Sequence, residues 1–215
     1  MNGMSKQTVP RIPGLIISKK FYCRRPDAVA RDLLGKLLVR DVNGVRLSGI
    51  IVEVEAYFGS EDPASRARKG GDLKKTLYGE CGLALVYGIH THWMLNVVAH
   101  EDCAGGAILF RAIEPVEGVE HMIRFRDLRS LSNVKSLTSG PGRLTRALRV
   151  DKSFHKTQMY VRRANGLWIE DIGLRVSDDD VVRDFRVGVT KDLDKPFRFY
   201  LASSKFVSVR KVRKA

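Results

Sequence analysis

The sequence is short of cysteine, of acidic residues and of long apolar runs. Its three cysteines, Cys23, Cys81 and Cys103, are odd in number and far apart. They build neither a disulfide framework nor a zinc site of paired CxxC motifs, and they fit a reducing cytoplasm. No apolar run approaches the ~18–20 residues that span a bilayer. No long basic amphipathic helix stands out, and the opening MNGMSKQTVPRIPG lacks the apolar core of a signal peptide. No membrane partner is therefore expected. Asp and Glu number 24 against 38 Lys and Arg, a formal charge of +14, and the sequence pI is about 10.0. Such an excess calls for an anionic partner, and a domain with pI above ~9 carries the electrostatic footprint of a nucleic-acid binder.

What is present is enough to fold. The 215 residues are 44% hydrophobic, sufficient for one domain with a sizeable core. Residues 1–14 hold two prolines and few apolar groups and read as a loose arm; residues 15–209 form the domain, and 210–215 (RKVRKA) a basic tail. Helical spacing covers Asp27–Leu38, with Pro26 at its start. Strands are expected at Leu37–Arg40 and Arg46–Phe58 around the turn pair Asn43-Gly44. Residues 59–82 read as a long polar loop. Leu83–Val98 reads as strands, and Ala107–Ile113 as a strand stopped by Glu114-Pro115. Helices are expected over Val116–Arg129 and after Ser139–Gly142, and later strands at Tyr160–Ile169, Asp184–Val189 and Phe197–Val209. The sum is an α+β fold, a single domain with a largely antiparallel curved sheet flanked by helices.

The stretch IVEVEAYFGSEDPASRARKGG, residues 51–71, concentrates the chemistry. Residues two apart on a strand share a face, so Glu53, Glu55 and Tyr57 point one way while Val52, Val54, Ala56 and Phe58 enter the core. Two readings are open. The pair sits on an edge strand and meets solvent or arginine. Alternatively one Glu is a general base in a partly dry cleft, with Tyr57 offering a flat face to a planar ligand. Arg111 lies inside the apolar run AILFRAIEP, and a buried arginine is costly without an anion. Its simplest partner is a carboxylate of the 53–55 pair, either as a structural ion pair or as the means of keeping a base ionised. His90 and His92 are two apart, but no third ligand is evident nearby, so no metal is assigned. Arg143, Arg146 and Arg149 recur every three residues, as a phosphate-facing stripe or a solvated basic face. Ser139–Gly142 could offer backbone N–H groups to a phosphate or simply open a helix.

VEVEAYFGSEDPAS, YG…HWMLNVV, AILFRAIEPVEG, SGPGRLTRAL, FRVGV and KPFRFY, in this order from about Phe21 to Val209, resemble the alkyladenine (3-methyladenine) DNA glycosylases of the mammalian type. The resemblance implies a base-flipping, monofunctional enzyme of base-excision repair that needs no metal or organic cofactor. A water held by a glutamate, an arginine and a main-chain carbonyl attacks the sugar C1′ and leaves an abasic site. Residue by residue, it implies Glu55 as the general base, Arg111 as its partner and Val187 as the carbonyl position. Tyr57 and Tyr87 would sandwich the purine, Asn96 would screen its exocyclic edge, and Leu109 would line the pocket. Ile89 or His90 would wedge into the minor groove, and Arg143 and Arg146 would meet phosphate. Arg66 stands where the family carries histidine, and the stretch LVYGIHTHW is one residue short of the family pattern. These departures bear on substrate range more than on reaction type. The implied partner is duplex DNA with damaged purines, met by a monomer in the cytoplasm, associated with the nucleoid. The alternatives are a non-catalytic binder of damaged DNA and an RNA-binding or ribosome-associated basic protein.

Overall fold

The computed structural model describes residues 14–128 and 134–210. The proposed arm up to residue 13 and the tail from 211 lie outside the described residues. The chain opens with β1 (Leu15–Ile16), α1 (Lys19–Tyr22) and α2 (Pro26–Leu33), then β2 (Leu37–Val42) and β3 (Val45–Phe58). A 3-10 turn (Arg66–Lys69) and α3 (Gly71–Leu77) lead into β4 (Ala84–Ile89), β5 (His92–Val98) and β6 (Gly106–Glu117). There follow α4 (Val119–Phe125), α5 (Pro141–Ala147), β7 (Leu167–Asp171), β8 (Val181–Asp184) and β9 (Arg198–Leu201).

The nine described strands form one sheet in the order β1-β7-β2-β3-β6-β5-β4, with β9 joining β3 and β8 joining β9. Each of these pairings is antiparallel. The sheet is organised by β3. Its first half pairs with β2, Leu37 opposite Ile50, and its second half pairs along the same edge with β9, Glu55 opposite Arg198. Its other edge runs the full length of β6 with register shifts between Ser48 and Gly49 and on both sides of Glu53. Such irregularities bend a strand and re-aim its side chains, and here they fall at the exit that carries the carboxylates. Val52, Val54 and Ala56 are buried in the main core with Phe110, Ile108 and Phe199, as period-two alternation requires.

Several boundaries differ from expectation, each for a physical reason. The helix expected over Asp27–Leu38 starts one residue earlier, at Pro26, in the first-turn position that proline suits. It ends at Leu33, because Leu34 is extended and Gly35 adopts φ 82. A Cβ at Gly35 would lie 2.6 Å from Val176 Cγ2. Asn43 and Gly44, at φ 52 and φ 79, close the β2–β3 hairpin, the left-handed pair that a two-residue turn needs. The segment 59–82 is not one loop: it holds the 3-10 turn and α3. β6 does not stop at Glu114-Pro115 but continues to Glu117, because Pro115 lies opposite Gly49 where the β3–β6 register slips. The helix expected over Val116–Arg129 is therefore confined to Val119–Phe125. The late strands are shorter than expected, and β8 lies before Phe185, so the FRVGV segment leaves the sheet.

Candidate active site

Glu53 and Glu55 are both fully buried, and the bend of β3 gives them different neighbours. Glu53 Oε1 accepts from Arg111 Nε, Arg198 Nη1 and Ser208 Oγ, each at 2.9 Å, and its Oε2 accepts the Ser208 N–H at 2.6 Å. Arg198 is itself held by Asp184 at 2.6 Å and by the Phe185 carbonyl at 3.0 Å. Glu53 thus ties together β3, β6, β9 and the chain near Ser208.

Glu55 is held by the residues around a cavity. Its Oε1 accepts the Val187 N–H at 2.6 Å and lies 3.2 Å from Arg111 Nη1, and its Oε2 accepts the Tyr57 hydroxyl at 2.8 Å. Burial pushes the carboxyl above its ordinary range and the neighbouring Glu53 adds to this; Arg111, the Val187 N–H and Tyr57 act in the other direction. Burial and the Glu55 charge also push the Tyr57 hydroxyl well up, so it remains a donor. Arg111 bridges both carboxylates rather than choosing one.

A cavity of about 490 Å³ lies over this group, lined among others by Tyr57, Arg66, Tyr87, Leu109, Arg111 and Val187. Each tyrosine carries an arginine on one ring face. Arg186 sits 4.4 Å from the Tyr57 ring centre, and Arg66, itself part of the cavity lining, sits 4.6 Å from that of Tyr87. Arg186 is fully engaged: Asp62 takes both of its Nη groups at 2.6 and 2.8 Å, Asp192 accepts from Nε at 2.8 Å, and the Ala56 carbonyl accepts from Nη1 at 3.0 Å. It fixes the plane of Tyr57 while clamping the loops after β3 and β8.

Of the predicted site residues, Glu55, Tyr57, Arg66, Tyr87, Ile89, Leu109, Arg111 and Val187 gather at or beneath this cavity. Val187 meets Glu55 through its N–H. Asn96 is buried opposite Leu109 and its amide donates to the Leu85 carbonyl at 3.0 Å; it is not part of the lining. His90, at φ 51, occupies the exposed tip of the β4–β5 hairpin. Arg143 is exposed on α5, and Arg146 lines a separate, larger hollow. Arg186, Arg198, Asp62, Asp192 and Ser208 escaped the sequence reading. Arg186, Arg198 and Asp62 lie inside the very motifs quoted for the resemblance, but pairings across 124 or 145 residues leave no trace in spacing. Among the described residues no group of three His, Cys, Asp or Glu is placed to hold a metal ion. Chemically, the site joins a slot for a planar ligand to a carboxylate whose position is fixed by three donors.

A family model described as methylpurine-DNA glycosylase matches residues 20–205. Among curated proteins, the chain is 42% identical over 203 residues to one from Aeropyrum pernix, covering 94% of this chain and 97% of the relative. It is 39% identical to one from Salinibacter ruber (87% and 94% covered) and 38% identical to one from Clostridium perfringens (89% and 98%). All three relatives carry the provisional name 3-methyladenine DNA glycosylase.

Proposed function

Because the chain belongs to the methylpurine-DNA glycosylase family, we propose that it excises 3-methyladenine and related alkylated purines from duplex DNA by flipping the damaged nucleotide into the cavity and hydrolysing its N-glycosidic bond with a water activated by Glu55. One observation carries this reading: a carboxylate held by Arg111, Tyr57 and Val187 lies directly beneath a cavity walled by two tyrosines.

The damaged purine stacks against Tyr57 and Tyr87, which line the cavity. Stacking of this kind contributes ~1–3 kcal/mol per base, which offsets part of the cost of unstacking it from the duplex. The glycosidic bond then lengthens, and positive charge grows on the sugar near the Glu55 carboxylate. Water attacks C1′, its proton passes to Glu55, and the bonding pair leaves with the purine. A cationic alkylpurine departs as a neutral base and needs no acid. A neutral deaminated purine requires a proton or hydrogen bonds on the leaving base. Ile89 lines the cavity at the end of β4 and His90 caps the exposed tip; this hairpin is the element we assign to fill the gap left in the stack. The protein acts as a monomer on nucleoid DNA in a reducing cytoplasm, a setting in keeping with its three free cysteines.

The test is release of free 3-methyladenine from methylated duplex DNA by the wild type and by Glu55→Gln. Release by the wild type, lowered ~10²–10⁴-fold in the variant as expected for loss of a general base, with lesion binding kept, supports the proposal. No release by either, with lesion-specific binding, means a protein that only recognises damage. Equal release by both moves the role of base to another group, with Glu53 first in line.

A further inference from the structure

On the other side of the β4–β5 hairpin lies a second and larger hollow, of about 930 Å³. The partition between the two is the hairpin itself together with the start of α5. Ile89 and Pro141 face the smaller cavity, while Thr91, His92, Trp93 and Gly142 face the larger. The two halves of the partition are pressed together: a Cβ at Gly142 would lie 2.8 Å from His92 Cγ. A ligand that places one part in the base cavity and continues past the hairpin tip meets this hollow next.

Its walls carry Arg40, Arg146, Arg149 and Arg163 against the single carboxylate of Asp151. Arg40 is the informative member. It is only 7% exposed, lies 4.4 Å from the Phe154 ring centre, and gives Nη1 to the carbonyls of Asp41 and Asn165, the latter at 2.9 Å. Its Nε has no hydrogen-bond partner. Burial lowers its pKa and the nearby Arg149 works in the same direction, while Asp41 and Asp151 work against them. The contrast with the other buried arginines is sharp. Arg111, Arg186 and Arg198 each touch a carboxylate at 2.6–2.9 Å. A buried guanidinium bonded to carbonyl oxygens rather than to a carboxylate, with its Nε unsatisfied, gains from an added anion. Arg149, the left-handed residue (φ 50) that closes α5 with the Val150 N–H bonded to the Thr145 carbonyl at 2.8 Å, sets its guanidinium 5.1 Å from the Phe125 ring centre at the cavity wall. Arg163 is exposed and bonded to the neutral Gln158 at 2.6 Å. Four cations facing one concavity suit phosphodiester oxygens, which arginine binds by paired, charge-assisted hydrogen bonds.

We propose that this hollow is a second anion site that grips the sugar-phosphate backbone of the duplex to one side of the damaged base. The hairpin tip is then straddled by a base cavity and a phosphate cavity. The proposal rests on reading the chain as a DNA glycosylase, and it adds Arg40 and Arg163 to the DNA interface beside Arg146 and Arg149 of the three-residue arginine stripe.

The test uses the whole chain, a lesion-bearing duplex and fluorescence anisotropy across salt, with thermal unfolding to verify that each variant folds. Arg149→Gln with Arg163→Gln, both at exposed positions, should weaken binding roughly 5–30-fold near physiological salt and lower the slope of log K against log salt by about 1–2. Arg149→Lys with Arg163→Lys keeps the charge and should retain most of the slope. A duplex shortened on one side of the lesion should cost the wild type affinity and leave the Gln variant nearly indifferent. Unchanged affinity and slope in the folded Gln variant overturn the proposal. It is overturned equally if inorganic phosphate raises the wild-type Tm while the duplex binds both proteins alike, since the site would then serve free phosphate. Release of 3-methyladenine by the wild type is measured beside these, so that failure of the enzyme reading is seen separately from failure of the second site.

Discussion

Glu53 and Glu55 start from the same place in the sequence and end in different kinds of site. Both are fully buried on one strand and one face, and both lie within reach of Arg111. Around Glu53, every direction is closed by donors from β6, β9 and the Ser208 segment. Around Glu55, the donors are cavity-lining groups: Tyr57, Arg111 and the Val187 N–H. The difference shows that a buried carboxylate becomes chemically useful by what its partners border, not by burial alone. A donor shell made of core elements anchors the fold. One made of cavity walls sets a charge next to a ligand.

The widest separation between the two corners should come from paired substitutions. Glu55→Gln is expected to lower base release ~10²–10⁴-fold with stability little changed. Glu53→Gln is expected to act mainly on stability, by ~3–5 kcal/mol, because it breaks two buried ion pairs at once and leaves Arg111 with Glu55 alone and Arg198 with Asp184 alone; urea unfolding measures it. Release per folded molecule should fall less in Glu53→Gln than in Glu55→Gln. The reverse pattern would exchange the two roles. A smaller effect is expected at Arg66, whose charge stands 4.6 Å from the Tyr87 ring centre inside the base cavity. That cation works against a cationic purine and is neutral towards an uncharged one. Arg66→Gln should therefore raise the excision of 3-methyladenine relative to hypoxanthine by roughly threefold to tenfold, since weakening a partly screened charge pair by ~1 kcal/mol changes a ratio about fivefold. A ratio that stays put means that Arg66 faces away from the bound base.

Much of this was legible from local pattern. The alternation in VEVEAYF placed both carboxylates on one face, and the isolated arginine in AILFRAI pointed to a carboxylate partner. Asn43-Gly44 marked its hairpin from turn chemistry alone. What was not legible is what depends on distant partners. Nothing near Arg186 announces that it stacks on Tyr57 and binds Asp62 across 124 residues. The polar stretch 59–82 looked unstructured because its helix α3 is short and carries most of its residues at the surface, so periodicity has little to display. Pro115 suggested a strand end, but proline is tolerated where a register slip removes the need for its N–H. Arg146 was singled out from a three-residue repeat. Its larger context, a hollow shared with Arg40 and Arg163 from other parts of the chain, exists only once the hairpins are folded together.

The subtlest consequence of the Glu55 corner is in its pH dependence. Burial raises the Glu55 carboxyl above its ordinary range. Activity that needs the ionised base should therefore fall on acidification at a pH above the usual carboxylate range. Stability runs the other way. Between the unfolded and folded pKa values the native state binds more protons than the unfolded chain, so the Glu55 contribution weakens as pH rises through that window; Glu55→Gln should lack this contribution. Tyr57→Phe sharpens the assignment. It keeps the ring against Arg186 and removes the hydroxyl that donates to Glu55 Oε2. Losing a donor to the charged form raises the carboxyl further, so the acid limb of single-turnover base release should move to still higher pH while the alkaline plateau changes little. A limb that stays in place in Tyr57→Phe belongs to a group other than Glu55. A plateau that collapses instead would mean that the Tyr57 hydroxyl takes part in the chemical step itself.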